Sequence, residues 1–196
     1  MNLNQIKEIA LDIITDPARG WEKHRHDFLN EQHVLKGYAL PLMLLAAAAT
    51  VLKLGVFQGN PSAGVIVALI QIVVGIASLY VVSFVVNFLA SKFDGTPSSS
   101  DAFTFVAFSN TAGWIGGVLS VVPIIGWLAS MALWLYGFYI SYKGIGPCLN
   151  VPQAKQMTFF IVMVLAIIVV SFVVSALIGA LTFAVIGSAM IAPGLG

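Results

Sequence analysis

Charge is what this sequence has least of. Of 196 residues, nine are Lys or Arg and eight are Asp or Glu, so 9% of the chain is charged while 59% is hydrophobic. A soluble domain carries roughly 25% charged residues. A water-soluble fold of this size cannot hide so much apolar surface, and that class is excluded. Short alternating polar and apolar segments are also missing, which excludes a transmembrane barrel. The single cysteine, Cys148, rules out an internal disulfide and a cysteine-based metal cluster. Flanked by Pro147 and Leu149 at a membrane edge, it reads as an inert thiol. A net charge of +1 leaves no electrostatic footprint for nucleic acid. No phosphate-cradling glycine loop, catalytic triad pattern or nucleophile elbow occurs, so nothing supports catalysis or a bound organic cofactor. Residues 1–36 are charged throughout, unlike a signal peptide with its apolar core.

What is present is a series of continuous apolar runs, roughly 16 to 30 residues long. In lipid every backbone polar group needs an internal partner, which leaves helices as the spanning element. The expected fold is an all-α integral membrane protein. Five transmembrane helices, at about 37–56, 63–90, 102–122, 123–142 and 157–186, form the domain 37–196. An amphipathic, interfacial helical segment over 1–36 precedes them. The run 63–90 is long for one pass and must tilt or project. The block 102–142 suits two passes, with a reversal near Ser120–Pro123, and Gly144-Ile145-Gly146-Pro147 closes the fourth span. With the N-terminus cytosolic, Lys7, Arg19, Lys23, Arg25, Lys36, Lys92, Lys143 and Lys155 all fall inside. Only Lys53 falls outside, a strong positive-inside bias.

In the leading segment, Leu3, Ile6, Ile9, Ala10 and Ile13 recur at helical spacing. Asp16-Pro17 ends that helix and caps the next. Residues 18–36 read as a further helix, with two placements open. It lies on the membrane with Trp21 and Phe28 among the headgroups, or it docks on the cytosolic ends of the spans. Within it, His24, Asp27 and Glu31 share one helical stripe, and Glu22, His26 and His33 share another. Imidazole and carboxylate together suit a divalent cation; a solvated face laced with ion pairs explains the same residues.

The span cores hold no Asp, Glu, Arg or His, which weakens any proton-relay mechanism. Their polar residues are Gln71, Ser78, Ser83 and Asn87 in span two, and Thr104, Ser109, Asn110 and Thr111 in span three. They serve either as interhelical hydrogen bonds or as a polar path for a small cation. Small residues recur at Gly113 and Gly117, Gly126 and Ser130, Gly137 and Ser141, and Ser171, Ser175, Gly179 and Gly187. Such stripes allow close helix packing within one bundle or in a homodimer.

The order of segments resembles the bacterial branch of the Yip1 family. The likeness rests on Asp16-Pro17 with Trp21, on Phe93-Asp94-Gly95-Thr96-Pro97 running to Asp101-Ala102-Phe103, and on Pro123-Ile124-Ile125-Gly126 with Trp134-Leu135-Tyr136. Tyr142-Lys143-Gly144-Ile145 followed by Val151-Pro152 and Lys155 completes it. The resemblance implies a five-helix domain with a cytosolic N-terminus and makes Asp94, Gly95 and Asp101 part of a family loop. It places the protein in the bacterial cytoplasmic membrane, with lipid as the sure partner and the protein partner unknown. Eukaryotic members contact small GTPases through a longer N-terminal region and carry an Asp-Leu-Tyr-Gly-Pro stretch. Neither is found here, so GTPase binding is not carried over. The expected role is non-enzymatic organisation of partners or lipid, with small-cation transport as the alternative.

Overall fold

The computed structural model describes the backbone of residues 2–28, 30–122 and 124–191, with side chains described up to 173 and at 176. Ser175, Gly179 and Gly187 lie outside the described side chains. The chain divides into two units, residues 1–160 and 161–196.

The amphipathic pattern at the start forms α1 (Leu3–Thr15), capped by a reciprocal Asn2–Gln5 box, with Ile6, Ile9, Ala10 and Ile13 buried. Leu3 stays exposed. Asp16 caps α2 (Pro17–His24) by accepting the Arg19 N–H, and Pro17 occupies its first turn. The expected surface helix over 18–36 is not continuous. It breaks after His24, and Asn30 caps a new helix, α3 (Glu31–Phe57), which is the first long apolar one. Residues 31–36 therefore belong to the span. A wide π-turn at Leu35–Ala39 precedes Pro41, where the missing proline N–H would interrupt regular bonding.

Asn60 caps α4 (Pro61–Lys92), whose 32 residues give about 48 Å of helix. Then come α5 (Ser99–Ser109), α6 (Thr111–Leu119), α7 (Ile125–Leu149) and α8 (Gln153–Ile191), the last running from the first unit into the second. The third span is thus two helices. Asn110 turns its side-chain amide back onto the Val106 carbonyl at 2.8 Å, and the backbone breaks there. α6 ends at Leu119 and α7 begins at Ile125. The fourth span does not stop at Gly144–Pro147: α7 continues with Pro147 inside and ends on Asn150 in the left-handed conformation.

No strand occurs among the described residues. Among the described residues, four segments are long and apolar enough to cross a bilayer: Glu31–Phe57, Pro61–Lys92, Ser99–Leu119 and Gln153–Val173. α7 has the length but is not among them, being diluted by Tyr136, Tyr139, Tyr142, Trp127, Trp134 and Lys143.

Within the first unit, α3 and α4, α4 and α5, and α6 and α7 pack as neighbours in chain order. The α5–α6 pair is the hub, touching α3, α4 and α7. Its apolar stretch is 56% buried against 11% for α4, and every residue from Ala102 to Phe108 is buried. A helix surrounded by protein is buried all round, whereas one facing lipid exposes its apolar face. Accordingly α4 exposes Ile66, Leu69, Val73, Phe84 and Phe88.

Close approach depends on small residues, though not quite the expected ones. A Cβ on Gly116 would meet Ser130 Cα at 3.2 Å, and the Ser130 hydroxyl donates to the Gly116 carbonyl at 2.6 Å. Gly117 faces Ala46, Gly126 lies against the Leu119 carbonyl, and Gly137 approaches Ser109. Gly113 meets open space and Ser171 is exposed. Gly116, Gly117, Gly126, Ser130 and Gly137 thus lie at contacts inside this chain.

Candidate functional site

The α1–α2 pair folds onto one end of the α5–α6–α7 hub as a helical cap. Its anchor is Trp21, which is wholly buried. The indole stacks on Phe105 with ring centres 5.6 Å apart and tilts against Phe108 at 5.2 Å. Its Nε1–H donates to the Ile140 carbonyl at 2.9 Å. Gly144 leaves the space: a Cβ there would overlap the indole ring. Phe28, Tyr38 and Phe108 extend the aromatic cluster edge to face, with centroids 5.0–6.1 Å apart. Trp21 and Phe28 therefore do not dip into headgroups. Of the two placements open from sequence, docking on the bundle is the one adopted. The physical reason is that Phe105 and Phe108 pack against the indole and the Ile140 carbonyl accepts its N–H, so the ring and its polar tip both find partners within the bundle.

Two hydrogen bonds lengthen this seam. Tyr136 donates to the Ile14 carbonyl at 2.8 Å, and Arg25 donates to the Pro147 carbonyl. At the α1–α2 crossing a Cβ on Gly20 would sit 2.9 Å from the Asp12 backbone, so only glycine lets the two helices touch.

Beside the crossing lies an open groove of about 510 Å³ lined by Gln5, Glu8, Ile9, Lys23, His24, Asp27 and His33. His24 is buried, and both of its ring nitrogens face carboxylates. Nδ1 lies 2.6 Å from Asp27 Oδ2, and Nε2 lies 2.9 Å from Asp12 Oδ2. Lys23 reaches across to Glu8 at 2.8 Å and Asp12 at 2.7 Å. The Lys23 ammonium, then His24, hold the Asp12 carboxyl below its ordinary range, and Asp12 and Glu8 raise Lys23 in turn. Of the six residues on the two stripes read from sequence, the structure brings His24 and Asp27 together and sets His33 at the groove. Glu22 and His26 are exposed and Glu31 half-buried, and none of the three lines it. Glu8 and Asp12, which sequence reasoning missed, complete a Glu8–Asp12–His24 cluster of the kind that can ligate a metal. The cation lodged there is the chain's own Lys23. The signal in the sequence was the charged face of α1, but its meeting with α2 depends on Gly20.

The polar residues of the spans are distributed rather than gathered. Gln71 accepts from Thr50 at 3.0 Å, Asn110 bonds within its own turn, and Thr111 pairs with Tyr38 at 2.6 Å. Ser83 is buried without a hydrogen-bond partner, and Ser78 and Asn87 are half-buried. Among the described residues Gln71, Asn87 and Asn110 share no hydrogen bond. The Tyr38–Thr111 pair is fully buried, so removing one member leaves the other unsatisfied. We expect Thr111→Val to destabilise the bundle by about 1 kcal/mol, and Tyr38→Phe added to it to restore most of that. Unfolding in mixed micelles, followed by circular dichroism, checks both.

The loop after α4 is tied to the end of α7. Asp94, at positive φ, pairs with Lys155. Gly95 donates to the Ala90 carbonyl at 2.9 Å and abuts the Leu149 carbonyl, where a Cβ would come within 2.8 Å. Asp101 and Ser98 form a capping box, and the Asp101 carbonyl accepts from the Cys148 thiol at 3.1 Å. The three loop residues thus join the ends of α4 and α7 to the starts of α5 and α8.

Long apolar helices with a docked helical cap define a multi-pass helical membrane protein with no assembled catalytic constellation among the described residues. The Yip1 domain model matches residues 11–177, and the chain belongs to that family, whose members are generally non-catalytic membrane-trafficking proteins. No curated protein and no solved structure matches the chain.

Proposed function

We propose that this protein is a non-enzymatic organiser of the membrane in which it sits. Its α1–α2 cap would be the docking face for a protein or lipid partner. The observation that carries this reading is the burial of Trp21 between α2 and the α5–α7 hub. A segment held this way is a fixed surface, not a tether, and it presents Lys7, Arg19 and Glu22 outward. α7 is taken as a fifth span beside the four long apolar segments. With five spans, eight of nine basic residues share the face that bears the cap, which supports a cytosolic N-terminus. The resemblance to the bacterial branch supports a bacterial cytoplasmic membrane as its site.

A small-cation path along α4 and α5–α6 is the competing reading. It has less support, because Gln71, Asn110 and Thr111 each have a separate partner. Reconstitution tests the choice. Proteoliposomes should show no divalent-cation flux above empty vesicles. A photo-crosslinking residue at Lys7, Arg19 or Glu22 should give a discrete adduct in cells that is lost in a Trp21→Ala background. Flux that falls on replacing Asn87 and Asn110 by Ala, with no adduct from any cap position, would overturn the proposal.

A further inference from the structure

The groove beside α1 and α2 gathers metal-ligating atoms from two helices. Glu8 and Asp12 on α1 and His24 on α2 each offer one donor atom, and the three lie within 4.8 Å of one another. Donors bound to one zinc ion at about 2.0–2.2 Å sit roughly 3.3–3.6 Å apart in a tetrahedron, so small side-chain rotations close the set. His24 is the member that points to a ligand. It is buried, and its Nδ1 lies 2.6 Å from Asp27 Oδ2. A metal-bound histidine ordinarily donates its other ring N–H to a carboxylate, which fixes the tautomer and aims the remaining lone pair. With the Nδ1 hydrogen on Asp27, the Nε2 lone pair faces Asp12 Oδ2 across 2.9 Å. Two acceptors then oppose each other in a buried place. A proton on Nε2 would relieve that one contact and leave Glu8 to Lys23 alone, whereas a divalent ion serves all three donor atoms. The Lys23 ammonium already marks the place as one that favours a cation, since it bridges Glu8 and Asp12. Its side chain is 43% exposed, so it can swing into solvent at small cost.

We infer that Glu8, Asp12 and His24 form a binding site for a divalent transition ion of the zinc type, with Asp27 as the carboxylate that orients the histidine. The donor set selects the class of ion. An imidazole ligand disfavours magnesium and calcium, which take oxygen, and the absence of thiolate from the set disfavours the softest ions. Three carboxylates against one ammonium leave the groove with an excess of negative charge, which a divalent ion neutralises. Three protein ligands leave a position open to the groove, where Gln5 and His33 are the other polar side chains of the lining. Lys23 is a built-in competitor: it holds Glu8 and Asp12 together until an ion takes its place. The bound ion ties α1 directly to α2. The site goes beyond the docking role and stands or falls without it, because its test reads bound metal and needs no partner.

The test uses the full chain in nanodiscs, without an added polyhistidine tag, and zinc as the probe. Equilibrium dialysis followed by elemental analysis reads the zinc held per chain. Wild type should hold one zinc per chain at micromolar free zinc. Lys23→Met removes the competing ammonium and should tighten binding about fivefold. Asp27→Asn should weaken it about 10–100-fold, the usual cost of losing the carboxylate behind a ligating histidine. His24→Ala and Glu8→Gln should lose the bound ion. Glu8 is exposed, so its substitution spares the buried face of α1 and reads ligation rather than folding. His26→Ala, at an exposed histidine that does not line the groove, should bind as wild type does. Absence of stoichiometric zinc from both wild type and Lys23→Met would overturn the site. So would binding that is unchanged in Glu8→Gln and His24→Ala, or binding that is lost in His26→Ala.

Discussion

Trp21→Ala should destabilise the first unit by about 3–5 kcal/mol, the range for emptying a fully buried aromatic site. Three things are lost together: the stacking on Phe105 and Phe108, the N–H bond to the Ile140 carbonyl, and the filling of the space over Gly144. Beside Trp21, the cap buries the smaller side chains of Ile9 and Ile13. The Lys23 pairs to Glu8 and Asp12 are solvent-accessible and contribute little. Protease access to residues 2–28 should therefore rise sharply in Trp21→Ala while the long helices stay folded. Trp21→Phe should cost far less, since it keeps most of the packing and the Ile140 carbonyl stays within α7. Equal stability of wild type and Trp21→Ala in mixed-micelle unfolding would contradict the buried anchor.

Gly144→Ala should destabilise by about 2 kcal/mol, although alanine is the better helix former. The added methyl overlaps the indole of Trp21, and overpacking of this kind costs about 1–3 kcal/mol. The sign should reverse once the indole is gone. In Trp21→Ala, the same change should stabilise by about 0.5–1 kcal/mol, the propensity gain of Ala over Gly. The four proteins form a double-mutant cycle, and a coupling of about 2–3 kcal/mol is expected. Additive effects would mean that the cap does not rest on α7 at Gly144.

Local chemistry made much of this fold legible in the chain. The α1 face of Ile6, Ile9, Ala10 and Ile13, the Asp16-Pro17 junction, the Asn60 turn and the break between α6 and α7 follow from period, caps and breakers. Sequence reasoning misjudged where three helices start, end or break. Residues 31–36 joined the first span because Asn30 caps a new helix there. α7 ran on through Pro147 until Asn150 took up the left-handed turn. The third span broke at Asn110 because its side chain competes for the Val106 carbonyl. The candidate cluster was half legible. His24 and Asp27 are three apart on one chain segment, but Asp12 reaches His24 only because Gly20 lets α1 lie flat on α2.

By itself, the sequence determined the class: scarce charge and long apolar runs admit only helices in a bilayer, since lipid gives backbone groups no other partner. It also determined the family likeness, now shown over residues 11–177. Only tertiary structure decided which span is central and where the cap lies. A helix facing lipid must be apolar, whereas one enclosed by protein can carry Thr104, Ser109 and Thr111. The most buried span is therefore not the one with the cleanest hydrophobic run. Trp21 reads the same in sequence whether it faces headgroups or protein. Phe105, Phe108, the Ile140 carbonyl and the gap at Gly144 settle the matter, and they meet it only in the folded chain.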